Sequence, residues 1–270
     1  MSNVINSEFA AHQQAKRLFD RTTDKYSRRS RGSVSNFTSL IFRRRIGIVA
    51  SSIQRAATAG GEALDYGMGP AVFAESCTAA GMHYLGIDVS PKMVERSKEM
   101  GLSNSEFIVG DLETLSRYRN QKDLVLAIGL IDYLEDVPAG ISQLAACVRP
   151  GGNLILSFRN RYSLPRLLRD GSKKMARRLL NGSSRFNDKA FFAQVHEKSF
   201  DLNRHLVPQL ASLGFSGFEA HYFNCSPFFF NFPMPKLLWR VWYAIDQTLA
   251  RSSTRFLCSG GVVVGTKSLS

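Results

Sequence analysis

The sequence predicts an α/β fold built on a mostly parallel sheet, and three observations carry that prediction. Short apolar runs ending in Gly or Asp recur between residues 62 and 158. A helical stretch follows most of them, the pattern of parallel strands covered by helices on both faces. The bulk is that of a globular protein: 270 residues, 44% hydrophobic and 21% charged, enough apolar material for a sizeable core.

Taken in order, residues 8–31 read as a polar helix that breaks at Arg31-Gly-Ser-Val-Ser-Asn. Residues 37–58 resume with Phe37, Leu40, Ile41, Ile46, Ile48, Val49 and Ile53 at helical spacing. Strands follow at Glu62–Tyr66, His83–Asp88, Glu106–Val109, Asp123–Ile128 and Asn153–Phe158, with helices at Ala71–Ala80, Pro91–Met100 and Ala139–Cys147. Phe200–Leu213 reads as a helix closed by Gly214, and Ser216–Phe223 as a strand. Phe256–Lys267 reads as a last strand, lightened by Gly260 and Gly261, and an aromatic, Pro-rich segment, Pro227–Ala250, precedes it. No repeat, low-complexity tract or linker divides the chain, so a single domain is expected.

Several function classes are set aside by composition. No run of 18 apolar residues occurs, so a spanning helix is not expected. The first twenty residues lack the charged-then-apolar layout of a secretory signal. Cys77, Cys147, Cys225 and Cys258 are far apart with no CxxC pair, which speaks against a zinc site or a disulfide framework and suits a reducing cytoplasm. No metal site is expected. The net charge of +13 concentrates in residues 16–45 and between Arg159 and Arg185. Basic ends around a balanced middle suit an anionic partner, or simply a well-solvated surface.

The strongest local signal is Ala63-Leu-Asp-Tyr-Gly-Met-Gly-Pro-Ala. A strand delivers Asp65, and a turn at Gly67 and Gly69 opens a helix whose first N–H groups lack intrahelical partners. A dinucleotide-binding turn wants a very small residue at its sixth position, where this chain has the β-branched Val72. An acid two places before the first glycine suits a different ligand: Asp65 can orient a cationic amino group. Asp88, followed by Val89, ends the second strand, where a carboxylate can accept both hydroxyls of a ribose. Asp111, followed by Leu112, ends the third run and can accept an adenine amino group. Asp123–Ile128 leads to Gly129, where small residues admit a second substrate. Singly, a strand-ending Asp is more often a cap or turn residue; these three acids and the Gly129 end, four strand ends in order, are hard to obtain from a purely structural protein.

The run from Glu62 to Phe158 resembles the cofactor half of class I S-adenosylmethionine-dependent methyltransferases of the small-molecule type, over about a third of the chain. The family's acidic-x-Gly-x-Gly-x-Gly motif is similar to Asp65-Tyr-Gly67-Met-Gly69-Pro-Ala71, with Ala71 replacing the third glycine. The resemblance places the ribose acid on Asp88 and the adenine contact on Asp111, and likens Asp123–Asp136 and Val148–Leu154 to the fourth and fifth strand segments. It implies a Rossmann-like, seven-stranded, mostly parallel sheet with an antiparallel C-terminal strand pair. It also implies S-adenosylmethionine as cofactor, S-adenosylhomocysteine as product, and contacts from Asp65, Gly67, Gly69, Asp88, Val89, Asp111, Leu112 and Ile128. On this reading 1–58 is an N-terminal helical cap, 59–160 the cofactor-binding core, and 161–270 the substrate-side insertions and last strands.

The acceptor side is less defined. His196, in Gln-Val-His-Glu-Lys-Ser-Phe, is a candidate base for an oxygen acceptor, or a capping or packing residue. Asp132 and Tyr133 follow the fourth strand, where acceptors sit in this fold; Asp132 is otherwise a capping or surface acid. Asn160 and Arg161 after the fifth strand are candidate substrate contacts or loop residues, and Tyr26 in the cap is a candidate lid or a core contact. The Pro-Pro motif of enzymes that methylate DNA bases is absent after strand four, which reads Ile128-Gly-Leu-Ile-Asp-Tyr. Nucleic acid is therefore not the expected partner. The expected reaction is methyl transfer to an oxygen, or next a nitrogen, of a small, apolar or lipid-linked metabolite. The rival is a non-catalytic protein that keeps the fold. The segment 226–250 suits an apolar acceptor pocket, a membrane interface on anionic lipid, a lid helix or a homodimer contact.

Overall fold

The computed structural model describes residues 37–163, 167, 198–225 and 236–269. The expected helix over 8–31 lies outside them. Helix α1 (Phe37–Ala56) leads into β1 (Glu62–Tyr66), α2 (Ala74–Ala79), β2 (His83–Asp88), α3 (Pro91–Lys98) and β3 (Ser105–Val109). A 3₁₀ turn at Glu113–Tyr118 precedes β4 (Lys122–Ala127), and a second at Ile131–Tyr133 precedes α4 (Val137–Cys147) and β5 (Val148–Arg159). The wide turn Leu202–Leu206 runs into α5 (Val207–Ser212), followed by β6 (Phe215–Phe223), α6 (Lys236–Arg251), a 3₁₀ turn at Ser253–Leu257 and β7 (Gly260–Lys267).

Among the described residues seven strands form one sheet in the order β3-β2-β1-β4-β5-β7-β6. The first five run parallel; β7 pairs antiparallel with both β5 and β6. The order reverses between β1 and β4, and ligands bind beyond the carboxyl ends of strands at such a point. Caps match the sequence: Ser90 Oγ accepts Met93 N–H ahead of Pro91, and Asp136 accepts Ala139 N–H ahead of Pro138. At the amino edge, buried Asp123 accepts Glu62 N–H at 2.8 Å and pairs with Arg149, which pins β1, β4 and β5 together.

The two faces of the sheet are covered by separate apolar clusters. One joins Leu64, Val125, Ile141, Leu144, Leu206 and Leu210, from β1, β4, α4, the wide turn and α5. The other joins Val49 and Ile53 of α1 to Ala63, Leu124, Leu126, Ile155 and Val262. Val49 and Ile53 are fully buried, each contributing about 1.5–3 kcal/mol. Helix α1 thus forms a layer of the core, because its apolar stripe has a full sheet face to cover.

Two expectations change. Phe256 belongs to the 3₁₀ turn, so β7 begins at Gly260. Its glycines are explained by two rings: a Cβ on Gly260 would lie 2.6 Å from Phe223, and one on Gly261 would lie 2.5 Å from Phe158. The cysteines are not all apart either. Cys225 and Cys258 form a disulfide, whereas Cys77 and Cys147 are free and buried. Their separation of 33 residues carries no pairing signature; the adjacency of β6 and β7 brings them together.

Candidate functional site

The carboxyl ends of β1, β2 and β3 meet around the turn after Tyr66. Gly67 and Met68 donate N–H bonds of 2.8 and 3.2 Å to Ile87 O, laying the turn across the end of β2. Gly67 and Gly69 take φ of 72° and 55°, where a side chain is strained. Ala71 takes φ 49° while fully buried, at a cost of about 1–2 kcal/mol. The family's third glycine is thus replaced here by a tolerated strain. A Cβ on Gly67 would strike Leu130 at 2.8 Å, whereas one on Gly69 would meet nothing within 4 Å. The turn is therefore open on the Gly69 side, as the approach of a ligand requires.

Asp88 holds this turn: its Oδ2 accepts Gly69 N–H and its Oδ1 accepts Ser90 N–H, both at 2.9 Å. A carboxylate here, an acceptor only, suits the hydroxyls of a ribose. Asp65 is buried and accepts the Tyr84 hydroxyl proton at 2.9 Å. Burial pushes its carboxyl up to about 7, against the Tyr84 hydrogen bond that lowers it and with the Asp88 charge that raises it further. Asp111 lies half-buried after β3, its Oδ1 accepting Thr114 N–H and Oγ1–H at 3.2 and 3.1 Å. It is a turn cap and a strand-end acid at once. Val89, Leu112 and Ile128 sit half-buried beside these acids and offer apolar surface.

A buried acid near neutrality makes ligand binding pH-dependent. An ammonium beside Asp65 favours its carboxylate, so binding releases a proton below pH 7. Affinity for a cationic amino group should fall up to tenfold per unit below pH 7 and level off above it, and Asp65→Asn should flatten the profile. Calorimetry between pH 5.5 and 8 checks this. The unliganded protein should behave oppositely. The folded carboxyl lies above its ordinary 3.8, so its stabilising share is complete below that value and lost as pH rises through 7.

The ends of β4 and β5 are built differently. Asp132 is buried; its Oδ1 accepts Arg159 N–H at 3.1 Å and its Oδ2 lies 3.4 Å from Arg159 Nε. Arg159 Nη2 reaches the Tyr133 hydroxyl at 3.5 Å. Asp132 is thus an ion-pair partner that aims Arg159. Asn160 is buried as a brace, donating to Cys258 O at 2.8 Å and accepting Tyr162 N–H at 3.2 Å. Arg161 is exposed, its N–H bonded to Phe200 O. His196 and Tyr26 lie outside the described residues. The structure therefore gathers Asp65, Asp88 and Asp111 on one side and Asp132, Tyr133, Asn160 and Arg161 on the other. Sequence reasoning missed Arg159, which it merged into the basic surface blocks. A groove of about 430 Å³ at the opposite, amino edge, lined by Arg119, Asn120 and Lys267 among others, carries none of these acids. No cluster of metal-ligating side chains occurs among the described residues.

Residues 64–156 match the family model described as a methyltransferase domain. The match covers about a third of the chain. That segment spans β1 to β5 and includes every acid of the cofactor side. A ubiquinone biosynthesis O-methyltransferase of Aromatoleum aromaticum is 30% identical over 112 residues, 40% of this chain and 48% of that one. Its namesake from Xanthomonas oryzae is 30% identical over 135 residues, 48% of this chain and 56% of the relative. The chain thus spans about half the length of the relatives it matches. Among solved structures, magnesium protoporphyrin IX methyltransferase from Synechocystis with bound S-adenosylhomocysteine superposes with TM-score 0.63, 17% identity and coverage of 94% and 98% of the two chains. A methyltransferase from Haloferax volcanii, solved with its Trm112 activator, gives TM-score 0.60 at 15% identity over 93% and 97%. These likenesses establish the fold: a seven-stranded, mostly parallel methyltransferase sheet with an antiparallel C-terminal pair.

Proposed function

We propose that this chain is an S-adenosylmethionine-dependent methyltransferase acting on an oxygen of a small, lipid-linked metabolite. The observation that carries the reading is the placement of Asp65, Asp88 and Asp111 at three successive strand ends around a glycine turn open at Gly69. When bound, S-adenosylmethionine supplies a methyl group already activated on a sulfonium. The chain therefore has to hold, orient and exclude water rather than create a nucleophile of its own. Asp65 faces the amino group, Asp88 takes the ribose hydroxyls, and Asp111 takes the adenine amino group. Val89, Leu112 and Ile128 supply apolar contact to the base. The acceptor enters past Gly129, with Tyr133, Arg161 and Tyr26 as contacts and His196 as the base where a hydroxyl proton must leave. Oxygen as the acceptor atom and the lipid-linked class are supported by the O-methyltransferase relatives.

The test is calorimetric titration with S-adenosylmethionine and S-adenosylhomocysteine, with NAD as control. Saturable binding of the first two is expected, and transfer of labelled methyl to hydroxylated lipid-linked acceptors should follow. Absence of binding by folded protein would overturn the reading in favour of a non-catalytic partner protein.

Peripheral contact with anionic lipid belongs to the same proposal. No helix among the described residues is long and apolar enough to cross a membrane. Helix α6 nevertheless exposes Leu238, Val241 and Ile245, each 40–52% accessible and on one face, with Arg240 and Arg251 exposed further round the helix. Binding to vesicles of mixed anionic and neutral lipid should drop at least fivefold in a variant with all three residues changed to Gln. Unchanged flotation would remove the membrane from the proposal.

A further inference from the structure

We infer that Tyr84 of β2 is a positioning residue for the cationic amino group of the cofactor: its hydroxyl fixes one oxygen of Asp65 and leaves the other for the ligand. This rests on the methyl-transfer reading above. β1 and β2 run parallel, with Asp65 opposite Gly86 and Ala63 opposite Tyr84. Tyr84 therefore stands two residues before the partner of Asp65 and on the same sheet face, the one that also carries Ala63 and Cys77. A tyrosine is long enough to cross that diagonal. Its hydroxyl donates to Asp65 Oδ2 at 2.9 Å, and Asp65 Oδ1 accepts no hydrogen bond from any described residue. That second oxygen is not sealed from solvent.

The ring is fixed where it stands. Tyr84 is buried and packs on Phe107 of β3, with 5.9 Å between ring centres. Gly86 makes the room: a Cβ there would lie 3.0 Å from Tyr84 Cε1 and 3.2 Å from the Phe107 ring, and would strike Met68 Sδ. Met68 belongs to the glycine turn, so the tyrosine ring and the turn that faces the ligand close together over one bare residue.

A hydrogen bond donated to a carboxylate favours its charged form, which is the form an ammonium requires. Burial and the Asp65 charge push the Tyr84 hydroxyl well above its ordinary value, so it remains a donor wherever Asp65 titrates. Two other groups act on the pair. Asp88, at the end of β2, opposes the Asp65 charge, and the Cys77 thiol of α2 is pushed up by burial and stays neutral. β4 sets the apolar Leu126 opposite Asp65, and α1 sends Arg45 to Gly129, beyond the end of β4. Tyr84 is the hydrogen-bond donor that offsets burial and Asp88.

The experiment titrates the full chain with S-adenosylhomocysteine and with methylthioadenosine, which lacks the amino-acid end, between pH 5.5 and 8.5. Wild type, Tyr84→Phe, Asp65→Asn and the double variant are compared. Tyr84→Phe keeps the ring that fills the site, so its melting temperature should stay close to wild type. Its S-adenosylhomocysteine affinity should fall at least threefold more at pH 5.5 than at pH 8.5. Methylthioadenosine affinity should stay within twofold throughout, and adding Tyr84→Phe to Asp65→Asn should leave the pH profile unchanged. Nuclear magnetic resonance of the ligand-free chain, with isotope-labelled aspartate, gives the Asp65 midpoint, expected at about 7 in the wild type and higher in Tyr84→Phe. In the wild type alone, the Tyr84 hydroxyl proton should shift through the same midpoint, a reading that needs no variant to fold. The inference is overturned if Tyr84→Phe leaves the Asp65 midpoint where it was. Methylthioadenosine losing as much affinity as S-adenosylhomocysteine overturns it too, as does a Tyr84 hydroxyl proton indifferent to the Asp65 titration. If S-adenosylhomocysteine fails to bind the wild type while the midpoint still moves, the methyl-transfer reading falls and the coupling of Tyr84 to Asp65 stands.

Discussion

Asp88→Ala should weaken S-adenosylmethionine binding by about a hundredfold or more. The carboxylate accepts Gly69 and Ser90 N–H groups, and on the proposed reading it also accepts the ribose hydroxyls. Charge-assisted bonds of this kind are worth about 1.5–3 kcal/mol each, and the variant loses the ligand's pair along with the anchor of the turn. Asp88→Asn keeps one acceptor oxygen but turns an N–H₂ toward one of the two backbone donors, so a loss of about tenfold is expected. Calorimetry measures both, and circular dichroism confirms that each variant remains folded. Binding within threefold of wild type in Asp88→Ala would remove Asp88 from the ribose site.

The largest loss of stability should come from Asp246→Ala, which strands Arg44. Both side chains are buried, at 10% and 4% exposure, and Asp246 Oδ1 also accepts Cys225 N–H at 2.7 Å. Removing one partner of a buried pair leaves an uncompensated charge and costs about 3–5 kcal/mol. Arg44 also lies 4.7 Å from the Tyr243 ring centre, so the loss spreads along the contact between α1 and α6. Replacing both partners, as Arg44→Met with Asp246→Leu, should recover part of it, because the desolvation penalty disappears with the charges while Cys225 N–H loses its acceptor. Urea unfolding midpoints give the comparison. A loss under 1 kcal/mol in Asp246→Ala would mean that water reaches the pair.

The sequence made the strand–helix alternation legible because each strand is a short apolar run punctuated by Gly or Asp, a local signal. β1 and β2 were placed to the residue. The cofactor acids were legible for the same reason: Asp65, Asp88 and Asp111 stand at strand ends, and strand ends can be read from one dimension. What failed to show was set by distant pairing. Nothing near Asp132 announces that Arg159 neutralises it, nor near Asn160 that its amide ties down Cys258 O. Arg44 and Arg45 look alike in sequence. Only the packing of α1 on the sheet sends one to Asp246 and the other to Gly129. The Cys225–Cys258 bond was invisible because it depends on the β6–β7 pairing.

That bond has a consequence for how the protein can vary. It closes the chain from Cys225 to Cys258 into a ring, with Phe223 and Gly260 paired on the sheet side of the bond. The ends of the ring arrive side by side whatever lies between them. The strand ladder is thereby relieved of closing a long connection, whose entropic cost grows with length. A ring of that kind behaves as a graft. So long as Asp246 keeps its pairing with Arg44 of α1, it can be lengthened, shortened or exchanged for one of different chemistry while the register of β7 and the acids of the cofactor edge stay where they are.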